Sequence, residues 1–269
     1  MQHRPPRPTQ HRPAQERIVV DNLCYAYNGV VALHDVSLRA YAGSICALVG
    51  MNGAGKSTLF KALMGFVRPS RGTIAINGVP LREALRQQAV AYVPQTESVD
   101  WNFPVSVANV VMMGRYGTMN FLRIPRRRDH QAVRESLERV DLWPLRQRQI
   151  GQLSGGQRKR AFVARALAQE ASVMLLDEPF AGVDIRTEKL LIQLFQQFRQ
   201  EGRTLLISTH DMGHVTGFCD DVVLINKTVL AYGETSEVFT QENVARTFGG
   251  GPLDSLSFTP PDPPGEGDL

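Results

Sequence analysis

Apolar residues come in short unbroken runs along this chain, and stretches at helical spacing follow them. Ile45 to Val49, Val173 to Asp177 and Thr204 to Ser208 are too short for helices and too uniformly apolar for strands with one wet face, so they predict buried strands. A helix from Ser57 to about Gly65 follows the first run, and one through Leu191, Leu194, Phe195 and Phe198 follows the second. Strands alternating with helices predict an α/β fold on a mostly parallel sheet. Ile18 to Ala47 reads as short strands and turns, and Gly72 to Gly78 as a hairpin-like strand. From about 105 to 168 the pattern is helical. Val133, Leu137 and Val140 stripe one helix with Asp129 as its cap, and Phe162, Val163, Ala166 and Leu167 stripe another. This helical block, about 96–168, is predicted as an insertion between two halves of the sheet.

Composition narrows the picture. With 269 residues, 43% of them hydrophobic, the chain can bury a full core. Residues 1–17 are rich in Pro, Arg, Gln and His and read as a disordered leader, and 250–269 read as a flexible tail, leaving 18–249 as the folded domain. His3 and His11 fall in that leader. Lys and Arg exceed Asp and Glu by 30 to 26, a net charge of +4 that is partly in the leader. No concentrated basic face points to nucleic acid. Arg126 to Arg128, after Pro125, read as a solvated loop or helix start. Cys24, Cys46 and Cys219 are odd in number and lack metal-ligand spacing, which suggests buried thiols in a reducing setting. No apolar segment suits a secretory signal or a membrane span, so membrane association is expected to come through a partner.

Three segments carry chemistry. Gly50 to Thr58 fits the pattern Gly-x-x-x-x-Gly-Lys-Ser/Thr, directly after the strand ending at Val49 and at a helix start. In that setting backbone N–H groups wrap phosphates, Lys56 reaches the β and γ oxygens, and Ser57 offers a hydroxyl to Mg²⁺. Asp177 and Glu178 end another apolar run. Adjacent strand residues face opposite sides, so separate roles are expected: Mg²⁺ for Asp177 and general base for Glu178. Leu153 to Gln157 is the third segment. Ser154 and Gln157 fit a capping box, while Gly155 and Gly156 leave the first N–H groups of the helix uncovered, a second anion site.

These three segments in this order resemble the nucleotide-binding subunit of ABC transporters, over about residues 18 to 248. The resemblance implies a P-loop NTPase with an antiparallel β subdomain and an inserted helical subdomain, binding Mg²⁺-ATP and hydrolysing it. It implies that Asn52, Gly53, Ala54 and Thr58 join Gly50, Gly55, Lys56 and Ser57 around ATP. Tyr27 would stack on adenine, with an exposed turn tyrosine as the alternative. Gln95 would touch Mg²⁺ and sense the membrane partner, Asp184 would lie in the D-loop, and His210 would contact the γ-phosphate. Two subunits would sandwich two ATP, Ser154 to Gln157 of one capping the γ-phosphate held by the other. Met51 and Ala181 stand where the family commonly has Pro and Ser.

The stretch after Gln95 resembles the ATPases of bacterial manganese, iron and zinc importers of the Sit, Yfe and Mnt type. That implies an integral membrane permease, an extracytoplasmic metal-binding protein, Mn²⁺ or Fe²⁺ as cargo with Zn²⁺ as the alternative, and a peripheral place on the cytoplasmic face of a bacterial plasma membrane. Nucleic acid is not among the implied partners. Glu97, Asp100 and Trp101 are expected docking contacts; for Trp101 and Phe103 a place in the subunit's own core weighs equally. The cargo ion is not expected to bind this chain. The rival reading is an ABC ATPase of translation or DNA repair, whose second cassette, coiled-coil insertion or zinc cysteines are not seen here. A nucleotide kinase would lack the Leu153 to Gln157 segment.

Overall fold

A computed structural model describes residues 15–95 and 103–249; the proposed leader up to residue 14, Glu97, Asp100, Trp101 and the tail 250–269 lie outside the described residues. In chain order the elements are β1 (Glu16–Tyr27), β2 (Val30–Tyr41), β3 (Ile45–Val49), α1 (Lys56–Leu63), β4 (Arg71–Ile76), β5 (Val79–Pro80), α2 (Leu81–Arg86) and β6 (Val90–Val93). Then come α3 (Val107–Met112), a 3-10 segment (Met113–Thr118), α4 (Arg127–Arg139), α5 (Gly155–Ala168), β7 (Val173–Asp177), α6 (Ile185–Gln200) and β8 (Thr204–Thr209). The chain continues through α7 (Met212–Phe218), β9 (Asp221–Asn226), β10 (Thr228–Glu234), α8 (Thr235–Val238) and α9 (Gln241–Thr247).

Two sheets form. The larger has the order β10-β9-β3-β8-β7-β6, parallel except for β10 on β9. The smaller, β2-β1-β4-β5, is antiparallel. Every residue of β3, β7 and β8 is buried, because both faces of these strands are covered. In β7, Val173 and Leu175 join the core shared with the antiparallel sheet, and Met174 and Leu176 join the core under the helical subdomain. The helical block leaves from β6 and returns into β7, which is paired with β6 from Val90–Val173 to Val93–Leu176. An insertion between adjacent parallel strands leaves the sheet intact.

Several expectations change. β1 begins at Glu16, two residues inside the expected leader, and pairs with Tyr41 there. The stretch read as short strands is mostly two strands of 12 residues each. Asn22 and Asp35 look like turn residues, but their left-handed backbones (φ 48 and 51°) lie inside these strands, at or beside register shifts. Asp129 caps α4 from inside the helix, as its third residue, and not from the position before it. Its Oδ2 accepts the backbone N–H of Arg126, the residue before the helix, at 2.8 Å. Of the three thiols only Cys46 is fully buried.

Candidate nucleotide site

The site is built at the C-terminal edge of β3, β7 and β8, where open α/β sheets gather their ligands. The turn from Gly50 to Gly55 joins β3 to α1. Gly55 has φ +101°, and a side chain there would meet the Ala32 carbonyl at 2.7 Å, so only glycine fits. The Ala54 N–H donates to the Met51 carbonyl at 3.1 Å, closing the turn. Lys56 folds back into it: Nζ donates to the Gly50 carbonyl at 2.6 Å and to that of Met51 at 3.1 Å. Burial pushes the Lys56 pKa down, and the nearby Glu178 and Asp177 carboxylates oppose that shift. Asn52, Gly53 and Ser57 are exposed, Thr58 is half-buried and Ala54 is buried.

Asp177 ends β7 and is buried, its Oδ1 accepting the Ser208 hydroxyl. Glu178 lies just beyond the strand with φ 45°, so a left-handed turn, not strand alternation, aims its side chain. The Glu178 N–H donates to the Ser208 carbonyl at 3.2 Å and to its hydroxyl oxygen at 3.0 Å. Gln95 Nε2 donates to Glu178 Oε2 at 2.8 Å, and His210 Nδ1 lies 3.3 Å from Oε1. Gln95, Glu178 and His210 therefore meet at one carboxylate, while the His210 side chain stays 64% exposed. Ser208 was missed from sequence. A hydroxyl closing an apolar run was its signal. Lys159 was missed too; its Nζ is 3.5 Å from the carbonyls of Pro94 and Gln95, tying α5 to that loop.

The predicted capping box forms at α5. Ser154 Oγ accepts the Gln157 N–H at 3.3 Å, and Gln157 Oε1 accepts the Ser154 N–H at 3.0 Å. A side chain at Gly155 would meet nothing within 4 Å, whereas one at Gly156 would lie 3.0 Å from the Thr187 hydroxyl and 3.2 Å from Asp184 Oδ2. Asp184 caps α6, accepting the Thr187 N–H and hydroxyl, each at 2.9 Å, and these bonds hold its carboxyl below the usual range. A cleft of about 970 Å³ between these two helix starts is lined by Ser154, Gln157, Asp184 and Thr187. Ser154 and Gln157 bond to each other, not to residues 50–58. Tyr27 is 40% exposed, its ring edge-on to Tyr25 at 4.8 Å.

In the helical subdomain Phe103 is 60% exposed, which overturns the alternative that it belongs to the subunit's own core. A groove of about 890 Å³ between α3 and α4 is lined by Asn109, Met112, His130, Arg134, Trp143 and Arg146. Among the described residues no helix is long and apolar enough to cross a membrane.

The family described as ABC transporter matches residues 33–181. The chain is 58% identical over 234 residues to the chelated iron transport system membrane protein YfeB of Yersinia pestis, covering 87% of this chain and 79% of that one. It is 57% identical over 241 residues to the manganese transport system ATP-binding protein MntA of Synechocystis, covering 89% and 93%. Among solved structures, an inward-facing conformation of a putative metal-chelate type ABC transporter is similar with a TM-score of 0.76 and 31% identity, over 87% of this chain and 88% of that one. A match through the phosphate loop, the signature helix and both acids, with relatives this similar along nearly the whole described chain, has one meaning: the chain belongs to the ABC transporter family and is an ATP-binding cassette of it.

Proposed function

We propose that this chain is the ATP-hydrolysing subunit of an importer that takes up Mn²⁺ or Fe²⁺ through a membrane permease. The observation that carries the catalytic part is the meeting of Gln95 and His210 on Glu178, beside buried Lys56. ATP phosphates lie along Gly50 to Thr58, and the Lys56 ammonium exchanges its loop carbonyls for β and γ oxygens. Glu178 takes the proton of the attacking water as its oxygen bonds to the γ-phosphorus; the bond to the β–γ bridging oxygen breaks, leaving ADP and phosphate. His210 offers a hydrogen bond to the γ-phosphate, and Gln95 holds the base in line. Tyr27 supplies a ring face for adenine.

Ser57, Asp177 and the Gln95 side-chain carbonyl present oxygen donors, the set a hard Mg²⁺ ion prefers, and buried Asp177 already accepts the Ser208 hydroxyl. Mg²⁺ bound there would offset phosphate charge. Two copies facing head to tail would let the free N–H groups at Gly155 and Gly156 of one close over the γ-phosphate of the other, with Asp184 at the seam. ATP then biases a closed pair and hydrolysis releases it. The stretch from Gln95 to about Tyr116, together with the α3–α4 groove, is the proposed seat of a cytoplasmic permease helix, with exposed Phe103, outside the groove's lining, as an anchor. Metal reaches the permease from an extracytoplasmic binding protein, and this subunit sits on the cytoplasmic face of the membrane. The similarity to iron and manganese transport subunits supports the choice of cargo.

Glu178→Gln keeps the shape of the site and removes the base. We expect ATP binding to persist while turnover falls on the order of 10²–10⁴-fold, and Mn²⁺ or Fe²⁺ uptake by the complex reconstituted with its permease to stop. Turnover near wild type overturns the catalytic assignment. A wild-type complex that hydrolyses ATP yet moves neither ion overturns the cargo.

A further inference from the structure

Between the 3-10 segment and α4 the chain makes a turn whose apolar side chains face solvent. Phe121 is 100% exposed, Leu122 69% and Ile124 56%. The turn is held in shape: the Arg123 N–H donates to the Asn120 carbonyl at 2.9 Å, the Ile124 N–H to Asn120 Oδ1 at 3.3 Å, and Arg128 Nη2 to the Thr118 carbonyl at 3.3 Å. The Arg123 guanidinium lies 5.2 Å from the centre of the Tyr116 ring. An ordered turn with a bare aromatic tip lacks the partner its apolar surface calls for.

Charge selects the partner. Arg123, Arg126, Arg127 and Arg128 surround the apolar tip and are exposed. From Phe103 to Arg134 the sequence holds one acid, Asp129. Asp129 is buried and already engaged by Arg115 Nε at 3.2 Å and the Arg126 N–H at 2.8 Å, with Arg128 Nε at 3.9 Å the one guanidinium of the turn near it. The exposed charge of the turn is thus nearly all positive. Cytoplasmic loops of membrane proteins carry an excess of Lys and Arg; the α3–α4 groove has Glu135 and Glu138 to set against such a loop, and the turn has no exposed acid to do so. The boundary of an anionic leaflet offers both things the turn lacks, acyl chains for Phe121 and Leu122 and phosphate headgroups for the arginines. We propose that the turn 119–128 is a membrane-surface anchor, inserting Phe121 and Leu122 among anionic phospholipids while the arginines bind headgroups. Arg127 also lines the α3–α4 groove, so lipid and permease would be met on adjoining surfaces. The anchor needs neither the hydrolytic reading nor the cargo to be right.

The test is sedimentation of the purified full chain with vesicles of phosphatidylglycerol and phosphatidylcholine, against pure phosphatidylcholine. We expect binding to the anionic vesicles only, weakening as salt is raised. Phe121→Ser with Leu122→Ser should lower partitioning about tenfold or more, and Arg123→Gln and Arg126→Gln about fivefold each. Exposed as these side chains are, Tm and basal ATPase should not move. No binding to anionic vesicles, or equal binding to neutral ones, overturns the proposal. Binding that survives Phe121→Ser with Leu122→Ser overturns it as well, by pointing to the basic leader that this variant retains. If that variant keeps vesicle binding but loses co-purification with the permease in detergent, the turn belongs to the permease and the lipid anchor is wrong.

Discussion

α1 and α5 both begin at glycines, and both leave backbone N–H groups aimed outward, yet their surroundings are opposite. At α1, Gly55 is wedged against the Ala32 carbonyl, Lys56 is buried on the carbonyls of its own loop, and the Lys227 N–H pins the Ala54 carbonyl at 2.8 Å. At α5, Gly155 faces open space, Ser154 is exposed, and the nearest neighbour is the start of α6. One helix start is a cradle that a single chain completes, cation included. The other has open space at Gly155 and no lysine folded into its turn, Arg160, Arg186 and Lys189 lining the cleft beside it instead, and in the proposed pair a body outside the chain finishes it. That difference is the physical content of the proposed head-to-tail pair.

The comparison can be broken most forcefully at the cradle. Lys56→Ala removes the cation on which α1 depends, and ATP affinity should fall by about 10- to 150-fold, the weight of hydrogen bonds to a charged group; equilibrium nucleotide binding reads it. Unchanged affinity would mean that the loop amides suffice and α1 is no more complete than α5. At α5, Ser154→Arg fills the open face. In the Glu178→Gln background, sedimentation with Mg²⁺-ATP should show self-association weakened by at least about tenfold, while ATP affinity of the monomer stays put. A matching loss of nucleotide affinity would place α5 in the same site as α1 within one chain.

Smaller effects sharpen the contrast. Ser208 stands behind the α1 side, linking Asp177 to the Glu178 backbone. Since the Glu178 N–H keeps the Ser208 carbonyl, Ser208→Ala should slow turnover only about two- to tenfold. Loss on the scale of Glu178→Gln would show that this hydroxyl alone sets the base. Gly155→Ala is the mildest change. Nothing surrounds its new methyl, so stability should hold or rise by at most about 1 kcal/mol, while ATPase falls because the methyl covers the donors. A lower Tm would reveal a packing role for Gly155, and wild-type ATPase would remove it from the cap.

How legible these features were depended on their span. Strands buried on both faces print as unbroken apolar runs, so β3, β7 and β8 were readable without a partner in view. The α5 capping box was readable because its bonds close within four residues. β1 and β2 were not, since register shifts break their alternation and Asn22 and Asp35 imitate turns. Asp129 reads as a cap and acts as one, but its position, third in the helix and not before it, needed the structure, because an acid in the first turn looks much like one at the start. Phe103 was undecidable, since an aromatic residue reads alike in a core and on a docking face.

The sequence by itself determined the parts whose geometry is local: the phosphate turn, the signature helix start and the apolar strands that end in acids. Tertiary structure decided which of those parts share a site. Gln95 and Glu178 lie 83 positions apart and His210 another 32 beyond, yet all three meet because β6, β7 and β8 are parallel neighbours with their C-terminal ends side by side. Even the aim of Glu178 came from outside its strand, since Ser208 on β8 receives the backbone N–H of its left-handed turn. No local propensity encodes such a contact, because the groups that make it are adjacent only once the sheet has formed.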